Sequence, residues 1–177
     1  MLYTERLLLR PFEEGDAPAL FLIANDPAVG PAAGWEPHPD VGHSRMILRT
    51  VLQVPETYAL CLRSDGTLIG SISLFFPGSC NLTIGQNDAE LRAWIGKAYW
   101  GQGYITEAAR EMIQHGFEDL RLSRIYGAAF SDNAASARLQ EKLGFRYRYT
   151  KEHVWWEPLQ EEKTIIVQAV TNPEYVI

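Results

Sequence analysis

Residues 94–107 read Trp-Ile-Gly-Lys-Ala-Tyr-Trp-Gly-Gln-Gly-Tyr-Ile-Thr-Glu, and Gly101 and Gly103 within them could meet a ligand through the main chain. Neither has a side chain, so the backbone can turn sharply and a ligand can approach it closely. Residues 90–95 form a short strand pattern that Gly96 ends. Beyond the loop, Ile105, Ala108, Ala109, Met112, Gly116, Phe117 and Leu120 recur three or four apart, the spacing of one helical face. The first N–H groups of a helix have no partner within it and lie at the positive end of its dipole. Strand, glycine loop and helix together suit the oxygens of a phosphate or pyrophosphate. The same glycines could equally do no more than close the turn. Two familiar phosphate loops do not match. A Walker loop needs Gly-Lys-Ser/Thr, but Tyr104 follows Gly103, and a dinucleotide fingerprint needs Gly or Ala where Thr106 stands.

The elements that must hold this loop can be read along the chain. Residues 4–12 predict a first strand with Pro11 near its end. Glu13-Glu14-Gly15-Asp16 then supplies a turn and an N-cap for a helix to about Asn25. Residues 28–40 hold three prolines and two glycines and read as a loop, with Trp35, Glu36 and His38 able to line a pocket. Residues 40–54 fit a second helix. Two β-rich runs at 58–63 and 68–76 flank Ser64-Asp65-Gly66, a strong hairpin signal. A turn region at 77–87 leads to the central strand at 88–95 and the long helix to about Leu120. A strand at 123–130, a helix at 134–143 capped by Ser131-Asp132-Asn133 and ended by Gly144, and strands at 147–156 and 164–170 around a loop at 158–162 complete the pattern. Strands that precede and flank two helices predict an α+β chain, a mixed sheet with helices on its faces, in a single domain over residues 1–177.

The 177 residues are enough for a substantial core. A formal net charge of −6 makes a nucleic-acid backbone a poor general partner and suits a basic substrate or a positively charged protein tail. Cys61 and Cys80 are too few for a disulfide framework, the first residues lack the apolar length of a signal peptide, and no window approaches a membrane span. A soluble cytoplasmic protein is expected, with assembly as a homodimer left open. No cluster of His, Cys or carboxylates has metal spacing, so no metal is expected.

Several pieces then match together. They are Thr4-Glu5-Arg6-Leu7-Leu8-Leu9-Arg10-Pro11, Ala89-Glu90-Leu91, the run from Tyr99 to Ala108, and Asn133-Ala134-Ala135-Ser136-Ala137-Arg138-Leu139 followed by Glu141-Lys142-Leu143-Gly144-Phe145. In this order and spacing the chain resembles the GNAT acetyltransferases, and within them the Rim-type group of ribosomal-protein N-acetyltransferases. The resemblance implies a GNAT fold, a mixed sheet of about seven strands with helices on both faces and a splay between the two central strands. It implies acetyl-CoA as cosubstrate and a primary amine as acceptor, either a protein N-terminus or a small molecule. A non-catalytic acyl-CoA-binding or regulatory module on the same fold is the alternative, because fold alone does not establish turnover. The chain departs from the pattern at Ala98, where the wider family has Gln or Arg, and at Arg92-Ala93, where Rim-type members tend to have Gly-Tyr.

By the same resemblance the amides of Gly101, Gln102, Gly103, Tyr104 and Ile105 would meet the pyrophosphate, Trp94 and Ile95 the pantetheine, and Asn133 the cofactor. Trp35, His38 and Arg92 fall on the acceptor side. The reaction is direct attack of a free amine on the thioester. It needs a base, support for the oxyanion and a proton for the departing thiolate. A backbone N–H near Trp94 or Ile95 can serve the oxyanion. Glu90 is the first candidate base, with Glu157, Glu161 or Glu162 in reserve, and Ser136 is the candidate acid, with Tyr126 and Tyr147 in reserve. Each also has a plain structural role available: Glu90 in an ion pair, Asn133 and Ser136 at a helix N-terminus, the tyrosines in strand packing. Glu107 reads as a first-turn carboxylate facing the helix dipole. His43, His115 and His153 read as surface or packing residues, and adjacent Trp155 and Trp156 must face opposite ways in a strand.

Overall fold

The computed structural model describes residues 1–174. The strand expected at 4–12 is in fact two, β1 (Leu2–Tyr3) and β2 (Leu7–Arg10). Between them Thr4 N donates to Leu7 O and Leu7 N donates to Thr4 Oγ1, both at 2.9 Å. A short hydroxyl side chain thus takes over backbone pairing and closes a turn that the apolar pattern does not announce. The remaining strands are β3 (Thr57–Leu62), β4 (Leu68–Phe75), β5 (Asp88–Ile95), β6 (Arg124–Phe130), β7 (Arg146–Trp156) and β8 (Glu161–Thr171). They form an eight-stranded sheet in the order β1-β2-β3-β4-β5-β6-β8-β7, which corrects the expected number of about seven. The sheet is mixed: β5 and β6 are parallel, while β2–β3, β3–β4, β6–β8 and β7–β8 are antiparallel.

The chain divides into two compact units, one of residues 1–73 and 93–111, the other of 74–92 and 112 onward. In the first, α1 (Ala17–Ala24) and α3 (Val41–Ile47) bury Leu20, Ala24, Leu48 and Leu52 with Phe12, Cys61 and Leu68. Each fully buried leucine contributes about 1.5–3 kcal/mol from area removed from water. The stretch expected to be loop at 28–40 contains a helical turn, α2 (Gly30–Ala33), started by Pro31 and stopped by Gly34 at φ 94°. The second helix is shorter than expected. After α3 the chain widens into a π turn at Leu48–Leu52, with Gln53 N bonded to Leu48 O at 2.8 Å, and this turns both Leu48 and Leu52 inward. Arg10 grips Asp16 with two bonds of 2.8 and 2.7 Å, so the Asp16 side chain ties the turn before α1 to the end of β2 and makes no cap bond to α1.

His38 is pinned inside this unit. Its backbone N donates to Ala24 O at 3.0 Å, its Nδ1 lies 2.8 Å from Ser44 Oγ, and its ring meets those of Trp35 and His43 at 5.2 and 5.0 Å. Asp40 Oδ1 accepts from His43 N at 2.7 Å and caps α3.

In the second unit, Leu82, Tyr126, Ile165, Val167 and Ala169 form a core flanked by Phe130, Tyr149 and Trp156. Trp156 packs inward while Trp155 is exposed, as strand alternation requires. The helix α5 (Ala134–Lys142) ends where expected: Gly144 sits at φ 84°, Phe145 N reaches back to Gln140 O at 3.0 Å and Gly144 N to Glu141 O at 3.0 Å. These are the two bonds of a Schellman cap. The expected loop at 158–162 holds a single turn at Glu157–Leu159, and β8 begins earlier, at Glu161. Among the described residues no helix is long and apolar enough to cross a membrane, and no group of three His, Cys, Asp or Glu side chains is arranged to hold a metal ion.

Burial, and then the nearby His43, lower the His38 imidazole from its ordinary 6.5 to about 4. Below about pH 6.5 the unfolded chain binds a proton that the folded chain refuses, so stability falls through the window from 6.5 to 4 and by at most about 3 kcal/mol. Above that window both states are neutral and the residue adds no pH slope. His38→Asn, which can keep the bond to Ser44, is expected to flatten urea-unfolding stability between pH 6.5 and 5 relative to the parent. Parallel slopes would remove His38 as the source.

Candidate active site

The glycine loop joins β5 to α4 (Tyr104–Glu118) within the first unit. Gly96 N donates to Ile69 O at 2.8 Å, a 3-10 turn spans Lys97–Tyr99, and Trp100 is extended. Gly101 and Gly103 then take φ 73° and 82°, the left-handed region that side-chain-bearing residues avoid. Gly101, Gln102 and Gly103 are exposed, and a Cβ on Gly101 would meet no atom within 4 Å. The loop is therefore bent by its glycines and open where its first amides lie.

Its shape is set from elsewhere in the unit. Glu107, in the first turn of α4, accepts from Thr4 Oγ1 at 2.5 Å, Arg6 N at 2.8 Å and Arg6 Nε at 2.7 Å. Burial pushes the Glu107 carboxyl up, but these three bonds outweigh it and hold the group below its ordinary value. Arg6 also donates through Nη1 to Gln102 O at 3.0 Å and lies over the Tyr104 ring, 4.4 Å from its centroid. Its Nη2 stands 3.4 Å from where a Cβ on Gly103 would be. Within the loop, Gln102 Nε2 donates to Ala98 O and Trp100 Nε1 to Ile95 O, both at 2.9 Å. Arg6 is a neighbour of the glycine loop that the sequence reading did not anticipate. It stands in the Thr4–Pro11 run that carried the family resemblance, but nothing local ties it to a loop about a hundred residues away.

The other predicted residues of this unit fall together. Trp35 and Trp94 make an edge-to-face pair at 5.3 Å, and Trp35 also touches His38. Trp94 packs on the unit's core and Ile95 is buried, while Tyr104 and Ile105 are half-buried at the start of α4. His38 is only 7% exposed, with its ring committed to Ser44 and packed against Trp35.

The second unit carries the remaining candidates. The β5–β6 register covers Asp88↔Arg124, Ala89↔Ile125 and Glu90↔Tyr126, while both strands continue past the last of these pairs. Glu90 stands at that end point and is 3% exposed. Its Oε2 accepts from Arg92 Nη2 at 2.7 Å and from Asn81 N at 3.1 Å. Arg92 lies over the Phe75 ring at 4.6 Å, so the predicted acceptor-side arginine and the predicted base form one ion pair. Both bonds fall on Oε2, which leaves Oε1 as the oxygen able to take an amine proton directly or through water. On α5, Asn133 is the N-cap, its Oδ1 accepting from Ser136 N at 3.1 Å. Ser136 is half-buried, and Gln140 Nε2 approaches its Oγ at 3.4 Å. Of the reserve acids, Tyr126 is buried in the core and Tyr147 is exposed. Glu157 accepts from Trp155 Nε1, Glu161 pairs with Lys163 and Glu162 with His153, so the reserve bases have structural partners.

Known proteins share the family and the fold. A family model described as an acetyltransferase (GNAT) domain matches residues 6–146. The uncharacterized N-acetyltransferase p20 of Bacillus licheniformis is 28% identical over 151 residues, covering 82% of each chain. YdaF of Bacillus subtilis strain 168, whose name assigns it provisionally to the ribosomal N-acetyltransferases, is 40% identical over 81 residues, 46% of this chain and 42% of that one. The fold matches a crystal structure of a GNAT-family acetyltransferase from Bacillus anthracis with a TM-score of 0.83 at 24% identity, over 98% and 99% of the two chains. A glycine loop opening onto a long helix, two central parallel strands paired for three residues, and a family match that spans both make this protein a member of the GNAT acetyltransferase family and an N-acetyltransferase.

Proposed function

We propose that the protein moves an acetyl group from acetyl-CoA to a primary amine, with a protein N-terminus as the first acceptor class to test and a small-molecule amine as its competitor. The observation that carries this reading is the glycine loop. Two residues at positive φ expose the first amides of a fifteen-residue helix, and a guanidinium stands beside them. Amides, dipole and cation are all complementary to a diphosphate, so the residues present fit the cosubstrate. Acetyl-CoA, when bound, supplies an acyl group activated as a thioester.

Each residue then has a stated task. The amides of Gly101 to Ile105 and Arg6 bind phosphate oxygens. Trp94 and Ile95 flank the pantetheine, and a main-chain N–H of the same strand takes the charge that grows on the thioester oxygen. Trp35 and Trp94 present an apolar aromatic wall that would desolvate an incoming amine and favour its uncharged form. Glu90 Oε1 removes the proton that the amine must lose. Ser136 Oγ–H donates to the sulfur as the C–S bond breaks. Asn133 contacts the cofactor while capping α5. The likeness to a relative named for ribosomal substrates supports a protein acceptor, and the net charge of −6 suits a basic one.

Gly103→Glu is expected to weaken coenzyme A binding more than a hundredfold by calorimetry, because a carboxylate would occupy the anion position and pair with Arg6. Gly103→Ala carries the same backbone strain, about 1 kcal/mol, without the charge and separates the two effects. Wild-type affinity in the Glu variant would defeat the loop assignment. Arg6→Gln is expected to raise the acetyl-CoA KM about tenfold while leaving the amine KM within twofold, the size of one lost charge-assisted bond. An unchanged acetyl-CoA KM would reduce Arg6 to a structural clamp.

A further inference from the structure

Gln140 is buried in α5, 7% exposed, and its Oε1 has no hydrogen-bond partner among the described residues. A leucine of similar size would avoid that orphaned oxygen, so a glutamine here calls for a function for its amide nitrogen. The side chain is held on three sides. Its own carbonyl receives the Phe145 N–H of the Schellman cap, which fixes the backbone. The strand facing it has Gly127, where a Cβ would come 3.0–3.2 Å from Gln140 Cδ, Nε2 and Oε1. One turn earlier on the same helix face stands Ser136, with Gln140 Nε2 at 3.4 Å from its Oγ.

We propose that Gln140 is the positioning residue for Ser136. This rests on reading Ser136 as the proton donor to the leaving thiolate. At 3.4 Å the amide N–H faces a lone pair of Oγ, which biases the hydroxyl proton away from Gln140 and outward. Donation into Oγ also polarises the O–H and strengthens it as a donor. As the amine's C–N bond forms and the C–S bond breaks, the bonding pair passes to sulfur. Oγ–H gives its proton to that sulfur and regains one from water, while the amine's proton leaves through Glu90, so Ser136 ends unchanged. A Cβ at position 127 would press on this amide and force it to give by a few tenths of an ångström.

The test uses Gln140→Leu and Gln140→Glu, each in the parent and in the Ser136→Ala background, with acetyl-CoA and an accepted amine. Gln140→Leu is expected to lower kcat about tenfold, to keep the acetyl-CoA KM within twofold, and to leave the thermal midpoint unchanged or higher, since the orphaned oxygen is gone. In Ser136→Ala it should have no further effect on kcat. Gln140→Glu offers an acceptor in place of a donor. Its kcat relative to the parent should be lowest near pH 8 and recover toward pH 5, where a protonated carboxyl can donate to Oγ again. Full activity of Gln140→Leu beside a slow Ser136→Ala overturns this proposal alone, as does an equal loss in both backgrounds, which would mark a packing role. A Gln140→Glu variant as active as the parent at pH 8 also overturns it, because the amide would then be the acceptor. Full activity of Ser136→Ala overturns the reading of Ser136 and this proposal with it. Gln140→Met, closer in length, replaces the leucine variant should that one not fold.

Discussion

The Glu107 carboxylate is the contact on which the glycine loop depends. It gathers a hydroxyl, a main-chain amide and a guanidinium from the turn between the first two strands, across 101 to 103 residues of sequence. Charge-assisted bonds of this kind contribute about 1.5–3 kcal/mol each when shielded from solvent. A carboxylate in the first turn of a helix is also favoured by the helix dipole. The same residue therefore stabilises the start of α4 and ties the N-terminal turn to it. Arg6, fixed through Nε, is left with Nη1 to hold the Gln102 carbonyl and Nη2 to face Gly103.

On the proposed reading, that arrangement would let a chain of net charge −6 take a strongly anionic coenzyme. Attraction here comes from local geometry: a guanidinium at hydrogen-bond range and amides with no helical partner, against which distant carboxylates count little beyond a Debye length of about 8 Å.

The two units differ in the kind of candidate group each carries. The first offers mainly backbone, aromatic surface and one cation, with the neutral His38 packed against Trp35 in a dry setting. The second offers side chains whose bonds leave particular atoms over: Glu90 with Oε2 taken by Arg92 and Asn81, and Ser136 with its N–H on Asn133 and its oxygen beside Gln140. For these residues a structural role and a chemical role coexist, because a group must be held before it can act.

Local pattern alone determined the glycine loop between strand and helix, the Asp65-Gly66 hairpin, the cap of α5 with Gly144, and, through its motifs, the family. Each depends on residues close in sequence, where backbone sterics and periodicity decide the outcome. The central strand at 88–95 was legible to the residue for that reason. The break at Thr4, the π turn after α3 and the early start of β8 were not, because a side-chain bond or a packing demand overrode the apolar period. Only the tertiary structure decided that Arg6 and Thr4 meet Glu107, and that Gly127 makes room for Gln140 beside Ser136. These are contacts between segments distant in sequence. Their partners are chosen by strand register and helix packing, and no local composition encodes them.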